Sequence, residues 1–282
     1  MPVVRGCDPE AGRTGVASRH VHTAFFEPAG PATFFATEAT AGPWARQAQH
    51  GGPPSALAAS ALERHEADGS QRLARVTIDI LRPVPLGKLT LQTRTVRPGR
   101  RVALFETVMA AAGQDVLHAR GWRIALSSAE LPEHARPVQA APPLVPAEQP
   151  PPSFPGSHDG GYLSMIDWRF LDGGGFDKPA RARAWTRPRV PLIAGEDTSP
   201  VSRAMLVADS GSGVSSLLDP TRYLFINVEL SVALHRDPAG EWLLLDAATT
   251  IGDTGTGVAQ TVLSDQRGLS GIALQTLLVA PR

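Results

Sequence analysis

The chain has 282 residues, 42% apolar and 19% charged, and its 27 lysines and arginines balance 27 aspartates and glutamates. That composition excludes a disordered chain, and the missing basic excess argues against a nucleic acid or an anionic membrane as partner. A single cysteine, Cys7, leaves no disulfide framework and no thiolate metal cluster. The opening MPVVRGCDPEAGRTG carries charges and glycines where a secretion signal would be apolar, and no run reaches the ~18 apolar residues of a membrane span. A soluble, cytoplasmic protein is expected.

Apolar alternation at 20–26 and 32–40 reads as strands. In HGGPPSALAASALERH, Gly51-Gly52 before Pro53-Pro54 suits the entry and first turn of a helix, and Leu57, Ala58, Ala61 and Leu62 recur at helical spacing. Strand-like runs follow at 73–81, 88–97, 101–112 and 116–126, joined by RPVPLG, PGR and AGQD, the turn chemistry of an antiparallel meander. The sharpest break is 132–155, where nine of 24 residues are proline; it donates too few backbone hydrogen bonds for sheet or helix and reads as an extended surface connector.

Beyond the connector the order repeats. Strands are expected at 162–170 and 181–189, a helix opened by Thr198-Ser199-Pro200 over 201–209, and strands at 223–235, 242–251, 257–264 and 272–279. The chain thus divides into an N-terminal unit at 15–128, a Pro/Ala-rich linker at 129–157 and a C-terminal unit at 158–282, each unit reading strand, strand, helix, four-strand meander. At an offset of 154 residues Leu81-Arg82-Pro83 faces His235-Arg236-Asp237, and Trp122-Arg123-Ile124 faces Thr276-Leu277-Leu278. A helix across a curved antiparallel sheet is the hotdog architecture, so an α+β double hotdog is expected.

Five segments in order, HGGPPSALAASALE, LRPVPLG, ADSGSG, FINVELSVALHR and ALQTLLV, resemble the acyl-CoA thioesterase II family. The resemblance implies hydrolysis of an acyl-CoA to free acid and coenzyme A, a role in fatty acid metabolism, and no cofactor beyond the thioester substrate. It also implies a catalytic set: an Asp on the second helix, a small hydroxyl residue at the next strand and a Gln on the last strand. By motif these fall on Asp209, Asn227 and Gln275, with Asn227 departing from the hydroxyl. His50, Gly51 and Gly52 are the implied substrate-binding segment, where early helix N–H groups are free to meet an acyl carbonyl or the pantetheine amides. From the residues alone, Asp209 is also a helix-end residue of ordinary kind, and Gly51-Gly52 an ordinary helix entry. Asn227 and Gln275 are less ordinary, because each is an amide in an apolar strand and needs partners.

The repeat serves as an internal control. At the same offset Asn227 faces Leu73 and Gln275 faces Gly121, while Asp209, counted from Pro53 and Pro200, faces Leu62. One competent site per chain follows, the first half supplying walls; a one-residue slip would put Arg120 opposite Gln275. The eight scattered histidines form no compact ligand cluster, so no metal is expected, and neither a G-x-S-x-G elbow nor a dinucleotide glycine pattern occurs. Arg100, Arg101, Arg181, Arg183, Arg187 and Arg189 are available to coenzyme A phosphates but read first as solvated surface. Two rivals remain: an acyl-thioester binding or scaffold protein without catalysis, and a hydratase or dehydratase, whose N-P-x-H loop is absent. Exposed sheet edges favour a homo-oligomer.

Overall fold

The computed structural model describes residues 22–282 apart from 129, 131, 136–140 and 159, so Cys7, His20 and part of the expected linker lie outside the described residues. The N-terminal half contains β1 (Phe26–Gly30), β2 (Thr33–Ala36), α1 (Gly52–Arg64), β3 (Gln71–Ile80), β4 (Gly87–Arg97), β5 (Val102–Ala111) and β6 (Gln114–Ala125). The C-terminal half contains β7 (Ile166–Phe170), β8 (Ala182–Pro188), α2 (Pro200–Ala208), a one-turn α3 (Gly211–Val214), β9 (Tyr223–Asn227), β10 (Glu229–Leu234), β11 (Leu243–Ile251), β12 (Thr256–Asp265) and β13 (Gly268–Pro281).

α2 starts on Pro200, and α1 carries Pro53 and Pro54 directly after its first residue, Gly52; proline in a first turn spends no orphan N–H. In α2 the Ser199 hydroxyl also accepts from the Ser202 N–H at 3.0 Å, an N-cap. α1 is buried on nearly every side because α2 covers the face that the N-terminal sheet leaves bare. Its alanines permit that close approach. Strands alternate as a sheet with one wet face should; β12 is the clearest case.

One sheet runs β1-β2-β4-β5-β6-β3-β10-β13-β12-β11-β8-β7, with β9 paired to β13 off that path. The two halves join where β3 meets β10, with Thr77 opposite Ser231. The registers repeat at 154 residues: Thr77 opposite Arg120 recurs as Ser231 opposite Leu274, and Phe105 opposite Gly121 as Ala259 opposite Gln275. The sheet therefore has an internal twofold without a slip, and Gln275 is the counterpart of Gly121. This is the double hotdog arrangement.

Of the described part of the expected strand at 20–26 only Phe26 is in a strand, β1 running on to Gly30, and the expected strand at 32–40 ends at Ala36 and gives way to a 3-10 turn, Glu38–Thr40. Three further expectations need correction. The run at 162–170 begins with a 3-10 turn, Tyr162–Met165, before β7. The run at 223–235 breaks at Val228 into β9 and β10, because one extra residue is accommodated between the pairs Asn227–Leu277 and Ser231–Leu274. Ala74 makes the matching bulge in β3, between Leu73 and Arg75. Finally, the described part of the linker, although free of helix and strand from 141 to 158, is not all surface. The Gln149 side chain donates to the Phe170 carbonyl at 2.9 Å and accepts its N–H at 2.8 Å, so an amide serves the open edge of β7, and Phe154 is buried.

Candidate active site

Where α2 ends, its C-cap residue Asp209 points to the start of α1, and its side chain is buried. The approach explains the two glycines. A Cβ on Gly51 would lie 2.8 Å from Asp209 Oδ2, and one on Gly52 would lie 2.1 Å from the Leu206 carbonyl oxygen. Only a residue without a side chain lets the positive end of α1 meet the carboxylate this closely.

The structure brings the three expected polar residues together. Asn227 Nδ2 donates to Asp209 Oδ1 at 2.8 Å and, more weakly, to the Glu229 carbonyl at 3.2 Å. Gln275 Nε2 donates to the Asp209 backbone carbonyl at 2.9 Å and stands 3.4 Å from Oδ1, while its Oε1 accepts from the Ser212 N–H at 3.0 Å. Gln275 therefore clamps the whole turn from Asp209 to Ser212. The bulge at Val228 lets Asn227 turn inward while β10 keeps its pairing with β3.

His50 lies against the carboxylate, its Nδ1 3.0 Å from Asp209 Oδ2 and 3.1 Å from the Gly52 N–H. One nitrogen cannot serve both: protonated it donates to Asp209, unprotonated it accepts from Gly52. An ionised carboxylate at that distance favours the proton on Nδ1. Burial pushes the imidazole below its ordinary value, with Asp209 pulling the other way. The ring stacks on Tyr162 at 3.9 Å between centroids. Tyr162 Oη donates to the Leu206 carbonyl and meets Ser210 Oγ at 2.8 Å, and burial raises its phenol far above the usual range, so it stays neutral. Tyr162 and Ser210 are not legible as site residues from the sequence; Gly160-Gly161 before Tyr162 is the one local signal of a turn there.

A cavity of about 30 Å³ opens beside Asp209, walled by His50, Trp44, Phe154, Leu163, Phe176 and Phe225. A larger depression of about 580 Å³ lies on the outer face of the sheet among Trp122, Ile124, Leu234, Leu269 and Ile272. It is almost wholly apolar and has no carboxylate, whereas Asp209, His50 and Ser210 line the smaller cavity. Among the described residues no group of three or more His, Cys, Asp or Glu could hold a metal ion. No helix among them is long and apolar enough to cross a membrane. Each strand arginine considered for phosphates has a carboxylate instead: Arg181 with Asp246, Arg183 with Asp172, and Arg187 and Arg189 with Asp167.

The counterpart positions in the other half are closed by apolar packing. A Cβ on Gly121 would lie 2.6 Å from Leu73 Cδ1 and 3.0 Å from Leu62 Cδ1, so two leucines fill the space that Asn227 and Asp209 occupy around Gln275.

Fold and site together define an α+β double hotdog protein with one buried carboxylate held by two side-chain amides. The acyl-CoA thioesterase C-terminal domain profile matches residues 141–279, and the acyl-CoA thioesterase N-terminal domain profile matches residues 40–124. The chain belongs to the acyl-CoA thioesterase family. No curated protein matches it. Among solved structures, a thioesterase II candidate from Thermobifida fusca YX is 19% identical with a TM-score of 0.71, covering 92% of this chain and 98% of that one. A hot dog fold protein of unknown function from Alicyclobacillus acidocaldarius is 18% identical at 0.66, covering 91% and 95%. An acyl-CoA thioesterase II, TesB2, from Mycobacterium marinum is 16% identical at 0.60, also covering 91% and 95%. At these identities the likeness is one of fold.

Proposed function

We propose that the protein hydrolyses an acyl-CoA thioester to the free acid and coenzyme A, with Asp209 activating the attacking water. The observation that carries this reading is the state of the Asp209 carboxylate. Asn227 and, at 3.4 Å, Gln275 occupy Oδ1, while His50 takes one acceptor position on Oδ2, which leaves Oδ2 with room for a further donor beside the cavity. A water bound there loses its proton to Asp209 as its oxygen bonds to the thioester carbon. The Gly51 N–H, at the N-cap of α1, is the donor this reading assigns to the charge that develops on the carbonyl oxygen. Collapse then breaks the carbon–sulfur bond, and the proton held by Asp209 passes to the departing thiolate. No bond to the protein forms.

The His50–Asp209 contact favours one other reading, hydration of an enoyl thioester, in which an imidazole and a carboxylate share the work. A panel of acyl-CoAs that includes crotonyl-CoA separates the possibilities. Release of free thiol is the expected result. Loss of the enoyl absorbance without thiol release would mean hydration, and binding without either would mean a non-catalytic acyl-thioester protein.

A further inference from the structure

We infer that Phe154, carried into the site by the proline-rich connector, sets the acyl length the protein accepts and holds it to short acyl groups. This rests on the thioesterase reading above and goes beyond it to the substrate class.

The cavity beside Asp209 measures about 30 Å³, whereas sites for ligands of moderate size run to about 300–1,000 Å³. The room that a longer chain would need is filled by aromatic rings. Phe154 stands between Trp44, at 5.4 Å and nearly perpendicular, and Phe176, at 5.6 Å. The two neighbours are themselves anchored: Trp44 packs edge-on to Phe225 at 5.0 Å, and Phe176 packs on Trp168 and Phe170 at 4.8 and 5.2 Å. Phe154 instead comes from a segment that belongs to neither half's sheet nor to either long helix.

That segment is a strap fixed at two points. Before Phe154, Gln149 is bonded to both backbone groups of Phe170. After it, Ser157 N–H turns back to the Phe154 carbonyl at 3.1 Å, and His158 Nε2 donates to the Gly42 carbonyl at 2.8 Å. Between the anchors Pro150, Pro151, Pro152 and Pro155 fix φ. A span so pinned and so stiff presents the ring at one depth, which makes it a stop and not a loose flap. The proline content thus has a use at the site as well as in joining two halves.

The test compares the full-length wild type with Phe154→Ala and Phe154→Leu on acetyl-, butyryl-, hexanoyl-, octanoyl- and lauroyl-CoA, by thiol release and, in parallel, by calorimetric titration. The wild type is expected to prefer acetyl- and butyryl-CoA. Phe154→Ala is expected to raise the ratio of kcat/KM on octanoyl-CoA to that on butyryl-CoA by about tenfold or more, with Phe154→Leu between. A wild type that prefers octanoyl- or lauroyl-CoA, or a Phe154→Ala profile parallel to wild type, would overturn the inference. Should Phe154→Ala fail to fold, Phe154→Leu carries the same expectation at smaller amplitude. If the wild type releases no thiol from any member, the hydrolase reading fails on its own. The titrations still decide the stop, which requires the affinity for octanoyl-CoA to rise when the ring is removed and fails if it does not.

Discussion

Asp209 carries the proposed chemistry, but its neighbours determine whether that carboxylate is usable. Asn227 supplies its shortest side-chain amide bond, 2.8 Å to Oδ1, and a hydrogen bond to a charged group contributes about 1.5–3 kcal/mol. Asn227→Ala is therefore expected to lower kcat by about ten- to a hundredfold with KM within about threefold. A raised KM with kcat unchanged would place Asn227 in substrate binding instead. Asn227 and Gln275 could be found in the sequence because an amide in an apolar strand must be explained by a partner. The contact of His50 with Asp209 could not. It depends on the N-terminus of α1 meeting the C-terminus of α2, and nothing local to either segment encodes that approach except the glycine pair.

At the scale of elements, the two helices meet twice, once at each end, and the two junctions differ. At one, Asp209 meets the start of α1. At the other, Glu63 in the last turn of α1 accepts from the hydroxyls of Ser199, at 2.6 Å, and Ser202, at 3.0 Å, at the start of α2. Burial raises the Glu63 carboxyl above its ordinary value, with Asp237 adding to the rise, while the two serine bonds and Arg64 oppose it. A carboxyl raised on folding favours the folded state below its unfolded value, and that contribution is lost as pH rises through its folded value. Glu63→Gln removes the dependence. Its unfolding temperature is expected to gain on wild type by a few degrees between mildly acid and neutral pH; a constant difference, or a gain toward acid, would contradict the account. Most elements were legible from alternation and turn residues. The break at Val228 was not, since a bulge barely disturbs the apolar pattern of the run it interrupts. Nor was the burial of Phe154, because a proline-rich run gives no sign of which surface it lies against.

For the molecule as a whole, the two halves share a register, but Asp209, Asn227 and Gln275 stand in the second half only. The registers of the two halves coincide at 154 residues, so Asn227 and Gln275 stand at places equivalent to Leu73 and Gly121, and Leu62 lies over Gly121 as Asp209 lies beside Gln275. The offset was readable from the sequence, but the filling of the second place needed the contact of Leu62 and Leu73 over Gly121. The first half thereby gives the site its helix N-terminus and His50, the second half gives it the carboxylate and amides, and the strap between them supplies a wall. Since no carboxylate stands at the equivalent place, nothing else in the chain is expected to replace Asp209. The most direct measurement is thiol release by Asp209→Asn against wild type at saturating acyl-CoA, with thermal unfolding followed in both. Turnover is expected to fall by about a thousandfold while the unfolding temperature stays close to wild type; an equally folded Asp209→Asn that keeps more than about a tenth of the activity would contradict the central claim.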